Sequence, residues 1–422
     1  MGGMEFIISL FSSPAILLGM VALFGLVAQK KSGTEVMTGT FKTIIGFLVF
    51  NLGGTTITNT LQSFNVLFQE GFNISGIVAA PEAATALAQE NYGFVVACIL
   101  ILGFGMNLVF ARLTPFKNIF FHGGHSLFFA CVLTLIVKSF GYGDMFTIIF
   151  SGVLLGFLAS FLPELVQPFM RKVTGSDSAA LGHYNLIAYG LAGWIGCLFS
   201  KYKDQSTEAI KFPKWLSFFR DFLMGMAVIM LILFYVAAIA AGREATEALA
   251  GSTHWLVFPL MQAFTFTAGM SILMTGVRMF LAEITAAFVA ISDKYIPNAR
   301  PALDVPTIFP FAPTAVTVGF VSAYAAGLLA AFLMVWFNSP VVIIPAAHIA
   351  FFSGGAAAIF GNSTGGWRGA IAGAFVAGLL LAFLPLALYP IYAQMGVEGS
   401  TFPNVDMNVI GILLEKLFSF FH

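Results

Sequence analysis

The chain has 422 residues, of which 59% are hydrophobic and only 9% are charged, and its mean hydropathy is +0.93. A soluble protein of this size needs far more polar surface, so the composition excludes a soluble globular protein. With 19 basic and 19 acidic residues and no basic run, the charge also argues against a nucleic-acid-binding protein. The sequence therefore predicts a protein that crosses the lipid bilayer many times.

The apolar runs predict an all-α, polytopic membrane protein. A helix that spans the hydrocarbon layer needs about 20 residues. Ten runs approach or exceed this length: 5–28, 43–64, 93–111, 118–138, 145–168, 221–242, 254–290, 314–337, 342–360 and 368–392. Two shorter runs, 181–200 and 407–421, are ambiguous between spans and re-entrant or interfacial elements. We expect about 10–11 transmembrane helices plus re-entrant or broken elements.

Basic residues set the orientation of these spans, because cytoplasmic loops are enriched in Lys and Arg. Basic residues follow the first, third and fifth runs, whereas the loop 65–92 contains neither Lys nor Arg. This pattern places the N-terminus and 65–92 outside the cell. The loop 201–220 is the most basic of the chain, so we expect it in the cytoplasm. The run 181–200 then begins and ends on the same side, which predicts a re-entrant element.

The two halves of the chain resemble each other at an offset of about 222 residues. The tripeptide Phe-Leu-Pro occurs at 161–163 and again at 383–385. The same or a neighbouring register aligns three further pairs: Gly54 with Gly276, Glu82 with Asp304, and His125 with His348. Each half contains five strong runs, an odd number, so the second copy enters the membrane inverted. Inverted repeats are typical of transporters.

This duplication divides the chain into three parts. Residues 1–205 form the first inverted repeat, with five spans and the re-entrant candidate 181–200. Residues 206–220 form a basic cytoplasmic linker. Residues 221–422 form the second inverted repeat and a C-terminal helix.

Ionisable residues in apolar runs are the candidate site residues, because an ionisable group in a membrane is costly and commonly functional. His125 follows Gly123-Gly124 and is either a histidine that packs two helices or a ligand for substrate hydroxyl groups. His348 has no polar neighbours in sequence, which favours packing. His183 follows a glycine at the start of the re-entrant candidate, where a solute site and an ordinary turn explain it equally well.

Two carboxylates accompany predicted breaks in the helices. Asp304 lies in 301–313, whose four prolines prevent a regular helix, so we expect extended or broken backbone there. Its repeat mate Glu82 follows a proline in the same way and is either part of a pseudo-symmetric site or a loop carboxylate. Gly53 and Gly54 lie within the second run. They indicate either an unwound helix that offers backbone amides to a ligand or close helix–helix contact.

No enzyme signature is present, and neither a metal nor a cofactor is expected. The sequence contains no phosphate-binding loop, no zinc-protease motif and no pair of cysteines with metal spacing. His125 and Asp304 could form an acid–base pair, but nothing supplies a nucleophile. Transport is therefore favoured over membrane catalysis.

Five stretches resemble a known family: GTFKTIIGF at 39–47, TGSDSAALGH at 174–183, GVRMFLAE at 276–283, PALDVPTIFPFAP at 301–313 and GNSTGGWRG at 361–369. They are similar to the L-ascorbate permeases, the IIC components of the phosphoenolpyruvate-dependent sugar phosphotransferase system, with galactitol permeases as more distant relatives. The resemblance implies a homodimer in a bacterial cell membrane and an elevator-type movement of a core domain. It also implies cytoplasmic A and B components, of which B phosphorylates the sugar.

The resemblance also implies a substrate site. Gly53, His125, His183 and Asp304 match the family's ascorbate site, whereas Gly54, Glu82, Phe129 and Tyr184 replace a serine, a tyrosine and two glutamines. We therefore expect the substrate-binding residues to be Gly53, Gly54, Glu82, His125, His183, Tyr184 and Asp304. The expected substrate is L-ascorbate or a similar sugar acid or polyol. The alternative is an ion-coupled secondary transporter in which Glu82 or Asp304 binds a proton or sodium.

Overall fold

The structure is a computed structural model that describes residues 14–73, 76–79, 81–210, 222–294 and 296–421, and most of these residues are helical. The long helices in these ranges are α1 Pro14–Ala28, α2 Gly33–Phe72, α3 Pro81–Leu113, α4 Gly123–Ser139, α5 Asp144–Thr174, α6 Leu186–Leu198, α7 Phe222–Ala250, α8 Val257–Lys294, α9 Pro313–Trp336, α10 Gly355–Gln394 and α11 Val405–Phe421. Short strands lie between them: β1 Ile77–Val78, β2 Asn118–Phe120, β3 Ala180–Leu181, β4 Arg300–Leu303 and β5 Ile343–Ile344.

Six of the described helices are long and apolar enough to cross a membrane, which confirms the predicted all-α, polytopic class. The predicted runs 342–360 and 368–392 join in one segment, Ala347–Gln394, which is broken at Gly366, where φ is 60°. The run 118–138 is not one helix, because it begins as β2 and continues as α4. The prediction of a single helical span there is wrong. The total of about 10–11 spans stays a prediction.

Three of the strands form a small parallel sheet in the order β2-β4-β3. Phe120 and Ala180 both pair with Ala302, on opposite sides of β4. The carboxyl ends of all three strands therefore lie at the same edge of the sheet. The side chain of Asn107, on α3, covers the outer side of β2, accepting a hydrogen bond from Phe120 N at 2.9 Å and donating one to Asn118 O at 3.0 Å. It satisfies backbone groups that would otherwise be buried without a partner.

The amino ends of the same strands are joined by a network of ionic and amide groups. Arg300, at the start of β4, has a side chain only 10% exposed and pairs with Glu164 of α5 and, at 3.1 Å, with Asp177. Gln167 donates to Asp177 at 2.7 Å, and Asn118, at the start of β2, donates to Glu164 at 3.0 Å. The network ties β4 of the second half to α5 and β2 of the first half.

Helices α2 and α8 pack closely and antiparallel through glycines. A Cβ atom on Gly53 would lie 2.6 Å from Gly269 O, and one on Gly276 would lie 2.7 Å from Gly46 O. α2 is a continuous helix from Gly33 to Phe72, so the proposed unwinding around Gly53 is wrong. The alternative explanation, close helix–helix contact, is the one observed for Gly53, because only the absence of a side chain lets the two backbones approach so closely.

The amino ends of α6 and α11 face each other and exchange capping groups. Asp406 accepts hydrogen bonds from Leu186 N and Ile187 N, both at 2.8 Å, and Asn185 Oδ1 accepts one from Val405 N at 2.5 Å. The side chain of each helix start thus satisfies backbone donors of the other. At 1.5 Å per residue the 13-residue α6 is about 20 Å long, which is too short to span a bilayer. The re-entrant placement of 181–200 stays a prediction.

The first half of the basic loop is fixed to the helices beneath it. Glu208 accepts hydrogen bonds from Thr314 Oγ1 at 2.8 Å and from Ala315 N at 3.1 Å, so its carboxylate caps the amino end of α9. Thr207 N donates to Asn362 Oδ1 at 2.9 Å. Lys201 and Lys203 are exposed on this loop. Residues 211–220, with Lys211, Lys214 and Arg220, lie outside the described residues.

Candidate functional site

Three polar side chains follow the three strands of the parallel sheet, at the edge where the strands end. His122 follows β2, His183 follows β3, and Asp304 follows β4. Gly182 N, directly before His183, donates to Leu303 O at 2.7 Å. Because the strands are parallel, residues separated by up to about 180 positions in sequence meet at one point. Two of the three, His183 and Asp304, were predicted from the sequence.

Asp304 is held by the broken backbone that its proline-rich stretch predicts. β4 ends at Leu303, and a 3-10 helix, Val305–Phe311, follows directly. Asp304 caps this helix, because its Oδ1 accepts a hydrogen bond from Val305 N at 2.7 Å. Pro306 at the start of the 3-10 helix lacks an N–H and fits this position. The expectation of extended and broken backbone around Asp304 is confirmed.

The three histidines form a cluster of mutually tilted rings beside the carboxylate. The ring centroids of His122 and His125 are 4.1 Å apart, and those of His125 and His183 are 4.0 Å apart. His122 Nε2 lies 3.2 Å from Asp304 Oδ2. His125 was expected well inside a span, but it lies in the first turn of α4, where it is only partly buried. The structure therefore brings His125, His183 and Asp304 together and adds His122.

Backbone hydrogen bonds define the proton positions on two of the imidazoles. His125 N donates to His122 Nδ1 at 3.3 Å, and Tyr184 N donates to His125 Nδ1 at 3.3 Å. An Nδ1 atom that accepts a hydrogen bond holds no proton, so both rings are neutral and have their proton on Nε2. The Nε2–H of His122 is thus donated to Asp304. Within the described residues no hydrogen bond engages Nε2 of His125, which leaves an N–H donor for a solute.

The remaining predicted residues lie less directly at this cluster. The Tyr184 side chain is fully buried, with its ring stacked on Phe120 at 4.5 Å and meeting Phe129 edge-on at 4.7 Å. Its link to the cluster is its backbone N–H on His125. Gly53 packs against α8, and Gly54 faces open space. The side chain of Glu82, in the first turn of α3, lies outside the described residues. Substrate contacts by these four residues stay predictions.

Sequence reasoning missed three residues of the site: His122, Asn185 and Tyr189. Tyr189 Oη lies 2.9 Å from His183 Nδ1, and Asn185 Nδ2 donates to Ser353 Oγ at 2.9 Å. A signal existed for His122, which precedes His125 by three residues and so lies one helical turn away. Asn185 stands directly before an apolar run, the usual place of a helix cap.

The chemistry available at this site is hydrogen bonding rather than covalent catalysis. It offers imidazole N–H donors and a carboxylate acceptor on backbone held by strand pairing and caps. Within the described ranges no group of three or more His, Cys, Asp or Glu side chains has the arrangement of a metal site. Such an arrangement is suited to a solute with several hydroxyl groups.

Comparison with known proteins identifies relatives of the whole chain. Residues 9–406 match the family described as PTS system sugar-specific permease component, EIIC-GAT. A curated relative is the "Ascorbate-specific PTS system EIIC component" of Mycoplasma pneumoniae, which is 27% identical over 412 residues, covering 85% of this chain. The chain spans 62% of the length of that relative.

Proposed function

The chain belongs to the family of PTS system sugar-specific permease components, and on that premise we propose that it imports L-ascorbate or a similar sugar acid or polyol. A permease component of this kind is a transport protein and not an enzyme. Phosphorylation of the sugar is then the work of a separate B component, itself phosphorylated by an A component. The family membership favours this function over the ion-coupled secondary transporter.

The observation that supports a hydroxylated substrate is the cluster of His125, His183 and Asp304. A sugar acid has several hydroxyl groups, each of which is both a donor and an acceptor. The imidazole Nε2–H groups suit its acceptors, and the Asp304 carboxylate suits its hydroxyl donors. The name of the Mycoplasma pneumoniae relative supports L-ascorbate within this class.

Uptake of labelled L-ascorbate tests the function. Cells that lack their own ascorbate permease are supplied with this chain alone, or with the A and B components as well. We expect accumulation of phosphorylated sugar only when all components are present, because the permease itself lacks a phosphoryl donor. Accumulation of free sugar by the chain alone would contradict the phosphotransferase mechanism and favour the ion-coupled transporter.

We propose that the two halves, 1–205 and 221–422, are inverted repeats joined by the linker 206–220. Two features support this. The repeat mates α2 and α8 pack antiparallel against each other. In addition, strands of the first half pair with strands of the second half: β1 pairs with β5, and β2 pairs with β4. Pairing of this kind between the two halves is expected of two copies related by a two-fold axis.

Cysteine labelling tests the orientation that this proposal requires. Exposed Cys197 is first replaced by serine, and single cysteines are placed at the exposed positions of Glu70 and Lys203. We expect an impermeant reagent to label Glu70→Cys on intact cells and Lys203→Cys only after permeabilisation, because positive charge favours the cytoplasmic side. Equal labelling of both positions from outside would contradict the inverted-repeat topology.

The proposed assembly is a homodimer in which a core domain moves across the membrane as an elevator. The family resemblance supports both features. The exposed lysines Lys201 and Lys203, on a loop fixed to α9 and α10, are the proposed docking position for the B component. Lys211, also proposed for this role, lies outside the described residues.

A further inference from the structure

His183 differs from its two neighbours in the partner of its Nδ1 atom. Backbone N–H groups donate to Nδ1 of His122 and of His125. A backbone N–H cannot turn away without movement of the chain, so neither Nδ1 can accept a proton. The partner of His183 Nδ1 is instead the hydroxyl group of Tyr189, at 2.9 Å. A hydroxyl group rotates, and it can accept a hydrogen bond as well as donate one.

The surroundings of Tyr189 allow this reversal. Ser353 and Asn185 both interact with its hydroxyl group, and the oxygen of Ser353 is an acceptor for the O–H when it turns away from His183. The Asn185 amide nitrogen is 3.5 Å from His183 Nδ1, at the limit of a hydrogen bond, and bonds to Ser353 Oγ at 2.9 Å instead. His183 is therefore the imidazole of the cluster that can take a second proton without a change in the backbone.

The negative charge of the site is a reason for His183 to bind a proton when an anionic substrate binds. Within the described residues, the titratable groups that face His183 are His125, His122, Tyr189 and Asp304. With neutral imidazoles, Asp304 gives the empty site a net negative charge. L-ascorbate is a monoanion at neutral pH, so its binding adds a second negative charge where little water is available to screen it. His183 is itself only 4% exposed. Like charges in such a site repel strongly.

We propose that His183 binds one proton at Nδ1 together with an anionic sugar acid. The inference rests on the proposed function, because it requires an anionic substrate. The proton comes from the bulk solvent through the buffer. The bond between the buffer acid and its proton breaks, one N–H bond forms at His183 Nδ1, the Tyr189 O–H turns towards Ser353, and no other covalent bond of the protein or the substrate changes. The positive charge of the His183 imidazolium then offsets the added charge of the bound anion near Asp304, and its Nε2–H is a donor.

Isothermal titration calorimetry of the purified, detergent-solubilised protein measures this proton. L-ascorbate is titrated at one neutral pH in phosphate and in Tris, whose ionisation enthalpies differ widely. The dependence of the observed binding enthalpy on the buffer gives the number of protons taken up. We expect close to one proton per bound ascorbate. In the pH range where the complex holds this proton and the free protein does not, the apparent Kd should rise about tenfold for each unit by which the pH is increased.

Two comparisons separate this proton from other effects. Tyr189→Phe removes the hydroxyl group that must accept a hydrogen bond from Nδ1–H of His183. The number of protons taken up per bound ascorbate should therefore fall below about 0.5, that is, below half of the wild-type value. Tyr392→Phe is the matched control: this tyrosine is fully buried too, and its hydroxyl group has no hydrogen-bond partner among the described residues, so uptake should be unchanged. L-gulonolactone, a neutral compound with the same ring size, should bind without taking up a proton.

The outcomes distinguish this inference from the proposed function. Failure of the wild-type protein to bind ascorbate would overturn the proposed substrate and the inference with it. Ascorbate binding that takes up no proton and has the same Kd across neutral pH would overturn the inference alone. The titrations of the wild-type protein show whether a proton is taken up with ascorbate, even when Tyr189→Phe does not fold.

Discussion

Replacing Asp304 by asparagine is expected to weaken the binding of L-ascorbate at least tenfold, or about 1.4 kcal/mol. The carboxylate accepts hydrogen bonds from His122 Nε2 and Val305 N and is the acceptor proposed for substrate hydroxyl groups. Asparagine keeps the shape of the side chain but turns one acceptor into a donor, which then faces the Nε2–H of His122. The Kd measured by calorimetry on purified protein gives the loss directly.

His125→Ala and His183→Ala are expected to weaken binding by a similar factor, because each removes an N–H donor from a site built to bond hydroxyl groups. The partners left behind stay buried and unsatisfied, which costs more than the loss of apolar contact. His348→Ala is the control: His348 is the buried repeat mate of His125, and its loss should affect binding less. A larger effect of His348→Ala on Kd, or normal binding by His125→Ala, would mean that the site lies elsewhere.

Arg300→Ala is expected to lower the free energy of unfolding by about 2 kcal/mol, because Glu164 and Asp177, whose side chains are 32% and 51% exposed, lose the buried cation that they share. The Arg300 side chain is 10% exposed and bonds Glu164 and Asp177 together at the amino ends of the strands. Since β4 begins at Arg300 and ends beside Asp304, substrate affinity should also fall. The apparent Tm in detergent, followed by tryptophan fluorescence, reports the loss of stability.

Arg243→Ala is the matched control for Arg300→Ala. Arg243 pairs with Glu247 at 2.8 Å one turn along the same helix, but its side chain is 70% exposed. Exposed pairs of this kind contribute about 0.5 kcal/mol. Arg300→Lys should be intermediate, because lysine keeps the charge but offers its N–H groups from a single nitrogen, whereas Arg300 reaches the two carboxylates with two separate nitrogens of its planar guanidinium. A Tm change for Arg300→Ala no larger than that for Arg243→Ala would contradict a stabilising role for the network.

The network also has a pH dependence. Burial alone would raise the pKa of Asp177, but the hydrogen bond from Gln167 and the charge of Arg300 hold that pKa below its ordinary value. A carboxylate with a lowered pKa in the folded state stabilises the protein above the pKa of the unfolded chain. That contribution is lost as the pH falls through the folded-state pKa. Acidification should therefore reduce the difference in Tm between the wild type and Arg300→Ala.

The sequence by itself determined the membrane class, most of the helices and part of the site. Apolar runs predict helices because burial in lipid depends on local composition and length. The prolines of 301–313 predicted the break at Asp304 because proline acts on its own backbone. His125, His183 and Asp304 were found because ionisable residues stand out in apolar surroundings. All of these signals are local, because each can be recognised from a short stretch of neighbouring residues.

The tertiary structure alone decided how these residues meet. β2, β3 and β4 pair across long separations in sequence, and no local pattern in such short strands marks them as partners. His122 joins the site because it lies two residues after the end of β2, beside Asp304. Gly53 proved to be a packing residue of α2 because α8 lies against it. Which imidazole can take a proton depends on which N–H or O–H group reaches each Nδ1 atom, and that is fixed only when distant segments pack together.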